Sequence, residues 1–166
     1  MKRENQTILI AEDSVDDQIL LKRAFKKNGI VDLQVVSDGA QAIEYLDGEG
    51  KYSDREQFPF PSILITDLKM PFADGFQVLS HINSNPEWVV IPIVLSASSD
   101  MDDIKKAYLV GAKSYLVKPS DSTQLDRLIK KLYDYWIEVE VPQIVATGHM
   151  KKTESAGKLG ERISQP

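Results

Sequence analysis

The chain has 166 residues, 25 acidic against 20 basic side chains, and no cysteine. This length suffices for one domain with a proper core, and the mild acidity argues against a nucleic-acid surface. The missing cysteines exclude disulfides and thiolate metal sites. No apolar run approaches the ~20 residues of a membrane span, and no apolar signal core follows Met1–Gln6, so a cytoplasmic protein with no membrane partner is expected.

Five short apolar runs bounded by turn signals read as strands, roughly 7–12, 33–36, 62–67, 91–96 and 113–117. Helix-period segments lie between them. Val15, Ile19, Leu20 and Ala24–Phe25 give one face of a first helix, with Ser14 and Asp17 as its capping box. Ala42, Ile43 and Leu46 mark a second helix, opened by Asp38 and Gln41. Phe76, Leu79 and Ile82 mark a third, ending before Pro86, and Ile104, Ala107 and Tyr108 a fourth, closed by Gly111. Leu125, Leu128, Ile129, Leu132 and Trp136 mark the fifth, whose periodicity is the clearest.

Strict alternation of strand and helix implies a doubly wound α/β fold, with a parallel sheet covered on both faces. The near-continuous apolar strands agree, because central parallel strands are buried on both sides. Right-handed crossovers and a 2-1-3-4-5 strand order place a crevice at the carboxyl ends of the first and third strands. The domain is expected over 6–140, with 141–166 as an extension that is disordered from about residue 147. The long link 48–61 carries Tyr52, Phe58 and Phe60, which need cover. It reads either as a plain surface loop or as a partner-contact loop.

Four strands end in reactive side chains. Glu12-Asp13 closes the first, Asp67 the third, Ser96 the fourth and Lys118 the fifth. On a parallel sheet all of them meet at one edge. Three carboxylates cannot share a water-poor site as bare anions, so a pKa rises or a cation joins them. Hard oxygen donors without a nearby His or Cys favour Mg²⁺, with Mn²⁺ as the alternative. Asp13, Asp67 and the backbone carbonyl of Lys69 are the expected direct ligands, and Glu12 would act through a bound water. Asp67 would be the nucleophile that forms an aspartyl phosphate. The Lys118 ammonium and the Ser96 hydroxyl would hold phosphoryl oxygens. Each motif alone reads more simply as a turn, a cap or a helix-end charge. It is their joint placement at strand ends that favours chemistry.

These motifs, with Thr66-Asp67-Leu68-Lys69-Met70-Pro71, Asp74-Gly75, Ser96-Ala97 and Gly111 to Pro119, resemble the receiver domain of two-component response regulators over about residues 6–136. Within that family the chain is similar to the cyanobacterial phytochrome response regulators. The resemblance implies a flavodoxin- and CheY-like fold. It also implies Mg²⁺ at Glu12, Asp13 and Asp67, and transfer to Asp67 from the phosphohistidine of a sensor histidine kinase, of phytochrome or hybrid type. A histidine phosphotransfer protein is a further candidate partner. Ser96 and Tyr115 would form the switch, reported by the fourth helix, fifth strand and fifth helix. Lys118-Pro119 would be a cis peptide. Lys69 and Ser98 occupy positions that tune phosphoryl lifetime.

Other classes fit less well. A phosphorylation-independent binding module with the same fold leaves the acid pocket unexplained. An aspartyl phosphatase usually wants a second acid two residues after the nucleophile, where Lys69 stands. A flavin carrier needs a phosphate-cradling loop where Glu12-Asp13 would repel phosphate. No length remains for a DNA-binding domain. His81 and His149 lack metal-ligand spacing. Tyr108, Tyr133, Tyr135 and Trp136 suggest a homodimer through the last helix and the adjacent face.

Overall fold

The computed structural model describes residues 6–30, 32–140, 142 and 144–150. Five strands, β1 (Ile8–Ala11), β2 (Leu33–Val36), β3 (Ile63–Thr66), β4 (Ile91–Ser96) and β5 (Ser114–Val117), form one sheet in the order β2-β1-β3-β4-β5. All four pairings are parallel. The five helices are α1 (Val15–Lys27), α2 (Gly39–Asp47), α3 (Gly75–Asn83), α4 (Met101–Val110) and α5 (Ser122–Glu138). The parallel sheet is the one the alternating pattern predicts, and the strand order is the one expected for this doubly wound fold.

The two-residue period of the strands sorts their side chains into two layers. Ile8, Ile10, Ile63, Ile65, Ile93 and Leu95 face Leu21, Ala24 and Phe25 of α1 and Leu125 and Ile129 of α5. Leu9, Ala11 and Leu64 face the other way, onto Ala42, Tyr45 and Leu46 of α2 and Val78 and Ile82 of α3. Val94 packs with Leu79 of α3 and Ala107 of α4. Each helix starts on a side-chain cap, from Ser14, Asp38, Asp74, Asp100 and Asp121 in turn, which ties the chain at each strand-to-helix turn. These turns carry the site.

Four expectations are corrected. Val15 and Ile19 are 66 % and 58 % exposed; Ala24 and Phe25 are buried as expected, and Leu21 completes the buried face of α1. The cap is also partial. Ser14 accepts from the Asp17 N–H, but the Ser14 N–H donates to Glu12 Oε1 (3.0 Å), so the Asp17 carboxylate is free to point elsewhere. No cis peptide occurs among the described residues, so Lys118-Pro119 is trans, the isomer that even an X–Pro bond prefers.

The fourth correction concerns residues 147–150, expected to be structureless. Ile144 bridges Met150 in antiparallel fashion, Gly148 is buried, and the Val89 N–H donates to the Gly148 carbonyl (2.8 Å). A Cβ at Gly148 would overlap the Phe60 ring. The rest of the expected tail, 151–166, lies outside the described residues.

The 48–61 link finds its cover within the molecule, which removes the reason for reading it as a partner-contact loop. Tyr52 and Phe60 are buried, and Tyr45, Tyr52 and Phe58 form a ring cluster with centroids 5.0–6.1 Å apart. Arg55 donates to the carbonyls of Tyr45 (2.7 Å) and Leu46 (2.8 Å), satisfying the open end of α2 and pinning the loop to it.

Candidate phosphoryl-acceptor site

Asp67 follows β3 directly, and its N–H still donates to the Ala11 carbonyl (3.0 Å), so strand pairing fixes its backbone beside β1. One carboxylate oxygen accepts from the Leu68 N–H (2.6 Å) and the other from Lys118 Nζ (3.1 Å). The loop to α3 then turns sharply. Gly75 N–H donates to the Leu68 carbonyl (2.8 Å), and Phe72, with φ of 66°, stands 88 % exposed at the tip. Gly75 and Gly39 leave room for this loop. A Cβ on Gly75 would run into the Asp67 carbonyl, and one on Gly39 into the Ala73 carbonyl.

Glu12 is buried at 2 % exposure, while Asp13 beside it is exposed. Oxygens of Glu12, Asp13 and Asp67 all lie within 4.8 Å of one another. Burial pushes the Glu12 carboxyl above its ordinary pKa, against the lowering effect of Lys118 and the Ser14 N–H. A buried carboxylate that is costly to ionise, beside two others, is a donor set that a hard divalent cation would stabilise.

Lys118 reaches in from the end of β5. Its Nζ donates to Glu12 Oε2 (2.7 Å), Asp17 Oδ2 (2.9 Å) and Asp67 Oδ2 (3.1 Å). Burial pulls the pKa of the ammonium down, but Asp17, Glu12 and Asp67 outweigh it and hold the pKa above the usual lysine value. The trans Lys118-Pro119 bond therefore does not prevent the reach into the pocket.

Ser96 ends β4, buried, with its hydroxyl accepting from the Ser98 N–H (3.2 Å). The Tyr115 hydroxyl donates to the Ser98 carbonyl (2.8 Å), and Ser98 Oγ donates to Asp103 at the start of α4 (2.6 Å). Ser98 thus joins the two expected switch residues. Lys69 lies two positions past Asp67 with its side chain exposed. The structure brings Glu12, Asp13, Asp67 and Lys118 together as expected. It adds Asp17, for which the sequence pattern predicts only a capping role.

Residues 8–130 match the family model of the response regulator receiver domain. The chain belongs to that family. Response regulator Rcp1 of Synechocystis is 32 % identical over 135 residues, 80 % of this chain and 90 % of Rcp1. The Mn²⁺-bound crystal structure of Rcp1 superposes on the receiver with a TM-score of 0.75 at 30 % identity, over 84 % of this chain and all of the other. RPA3017, a response regulator in red light signaling of R. palustris, gives 0.78 at 33 %, again over 84 % of this chain and all of the other. The phosphorylated cyanobacterial phytochrome response regulator RcpA gives 0.76 at 28 %, over 84 % and 99 %. The chain is therefore a receiver of two-component signalling, similar to the phytochrome response regulators. Its family is one of signalling proteins rather than of conventional enzymes. Receivers bind Mg²⁺ or Mn²⁺ at an acidic pocket, and a histidine kinase is the partner this family implies. No helix among the described residues is long and apolar enough to cross a membrane.

Proposed function

We propose that Asp67 of this receiver accepts a phosphoryl group from the phosphohistidine of a sensor histidine kinase, and that the product signals by protein contact. An Asp67 oxygen attacks phosphorus in line, the P–N bond breaks, and the departing imidazole keeps the electron pair. Lys118 neutralises charge developing on one phosphoryl oxygen, and the Ser96 hydroxyl and nearby backbone N–H groups take another. Glu12, Asp13, Asp67 and the Lys69 carbonyl would hold Mg²⁺, which when bound supplies positive charge to the phosphoryl oxygens. The observation that carries this reading is the Lys118 ammonium between Glu12 and Asp67, 2.7 and 3.1 Å away, at the carboxyl edge of the sheet.

Val15 at the start of α1 and Phe72 in the loop after Asp67 are exposed beside that edge, and Ile19 is exposed one turn further along α1; they offer apolar surface to a protein partner. A phytochrome-type or hybrid kinase fits the relatives, with onward transfer to a histidine phosphotransfer protein as a further step. The protein would catalyse only its own phosphorylation and dephosphorylation, in the cytoplasm. The joining of Ser96 and Tyr115 through Ser98 supports a switch read at α4, β5 and α5. Exposed Tyr108 and Tyr135 support a homodimer through α5 and its neighbouring face. The test is transfer from a ³²P-labelled histidine kinase of phytochrome type. Label should move to the wild type and not to Asp67→Asn. Partner binding that ignores Asp67→Asn would favour the phosphorylation-independent module.

A further inference from the structure

We propose that Asp17 is a positioning residue that aims Lys118 at the phosphoryl-accepting oxygen of Asp67. The inference rests on the phosphoacceptor reading above. An ammonium has three N–H donors and no acceptor, and here three carboxylates take one each. Glu12 and Asp17 fix two of the three directions. The remaining N–H then points at Asp67 Oδ2, beside which a phosphoryl oxygen arrives. Phosphorylation turns that carboxylate oxygen into part of an acyl phosphate, and the third N–H can pass to the phosphoryl group while the other two stay in place.

A lysine is a point charge on a flexible stem, so its aim has to come from its partners. Glu12 alone would fix one direction and leave the head free to rotate about that contact. The local sequence makes Asp17 available. Ser14 spends its N–H on Glu12 Oε1, so the third helical position does not close the capping box and its carboxylate turns toward Lys118. Asp16, one residue earlier, is an equally good charge for the helix N-terminus, yet it is exposed. The Asp17 side chain is one-third exposed against 11 % for Lys118, so it can be changed without opening the core.

The experiment compares wild type, Asp17→Ala, Asp17→Asn, Lys118→Ala and Asp17→Ala/Lys118→Ala, all as the full chain with saturating Mg²⁺. It measures beryllofluoride affinity and the rate of phosphorylation by acetyl phosphate. Losing one hydrogen bond to a charged group predicts about tenfold weaker beryllofluoride binding and a similar slowing in Asp17→Ala. Asp17→Asn keeps an oxygen acceptor in place and should recover most of both. In the Lys118→Ala background Asp17→Ala should change neither. Unchanged or tighter binding by Asp17→Ala overturns the proposal, and so does an equal loss with and without Lys118. Urea midpoints identify a variant that fails to fold, in which case Asp17→Asn against Asp17→Ser makes the same comparison. A wild type that neither binds beryllofluoride nor gains phosphate would refute the phosphoacceptor reading itself. A competent wild type with an indifferent Asp17→Ala refutes only the aiming role.

Discussion

Gly75→Ala should damage the acceptor site from outside it. The new Cβ would stand 2.8 Å from Leu68 Cα and overlap the Asp67 carbonyl, whereas ordinary contacts begin at 3.4 Å. Both obstacles are backbone, so no side chain can rotate away. The Asp67–Gly75 loop must retreat by more than half an ångström, and it is held by the Gly75 N–H to Leu68 carbonyl bond and by the capping box of Asp74 and Gln77. Overpacking of this kind costs about 1–3 kcal/mol. Catalysis is more sensitive, since misplacing reacting groups by about 1 Å costs up to ~10²-fold. The expected result is a urea midpoint lowered by that energy and a slowing of acetyl phosphate turnover by at least tenfold, beyond what unfolded protein explains. Wild-type stability together with a wild-type rate would show that the loop accommodates a Cβ at Gly75.

Ile19→Glu, at an exposed position on α1, should slow phosphotransfer from the kinase severalfold while leaving acetyl phosphate turnover unchanged; equal effects on both donors would contradict docking on this surface. Arg55→Ala should cost about 1–3 kcal/mol in urea denaturation, because the Leu46 carbonyl at the end of α2 loses its Arg55 donor and the Tyr45 carbonyl keeps only the Gly48 N–H, with phosphorylation unaffected. Without metal, the raised Glu12 pKa makes the folded state bind its proton more tightly than the unfolded chain does. Stability relative to Glu12→Gln should therefore rise as pH falls through the raised Glu12 pKa toward the ordinary value of 4.5; a fall would show that Lys118 dominates Glu12.

The elements were legible because their signals are local. Each strand is a short apolar run, and each of the five α-helices has an Asp or Ser at its N-cap position. The site was legible for a related reason. A parallel sheet sends the end of every strand to the same edge, so order along the chain becomes proximity in space. What stayed hidden depends on competition between partners. Asp17 looked like half of a capping box until Glu12 took the Ser14 N–H. Val15 and Ile19 share helical spacing with the α1 core, but the buried stripe runs through Leu21, Ala24 and Phe25. The aromatic residues of the 48–61 link looked uncovered because their cover comes from distant segments. Trp88 packs at a tilt against Phe60 with centroids 5.4 Å apart, and Gly148 closes over the same ring. No periodicity reports such contacts.

The role of Asp67 as phosphoacceptor is tested by intact mass after incubation with Mg²⁺ and acetyl phosphate. The wild type should gain one phosphoryl group, lost with EDTA and absent in Asp67→Asn. A wild type with no gain, or an Asp67→Asn variant that gains the same mass, would contradict that role.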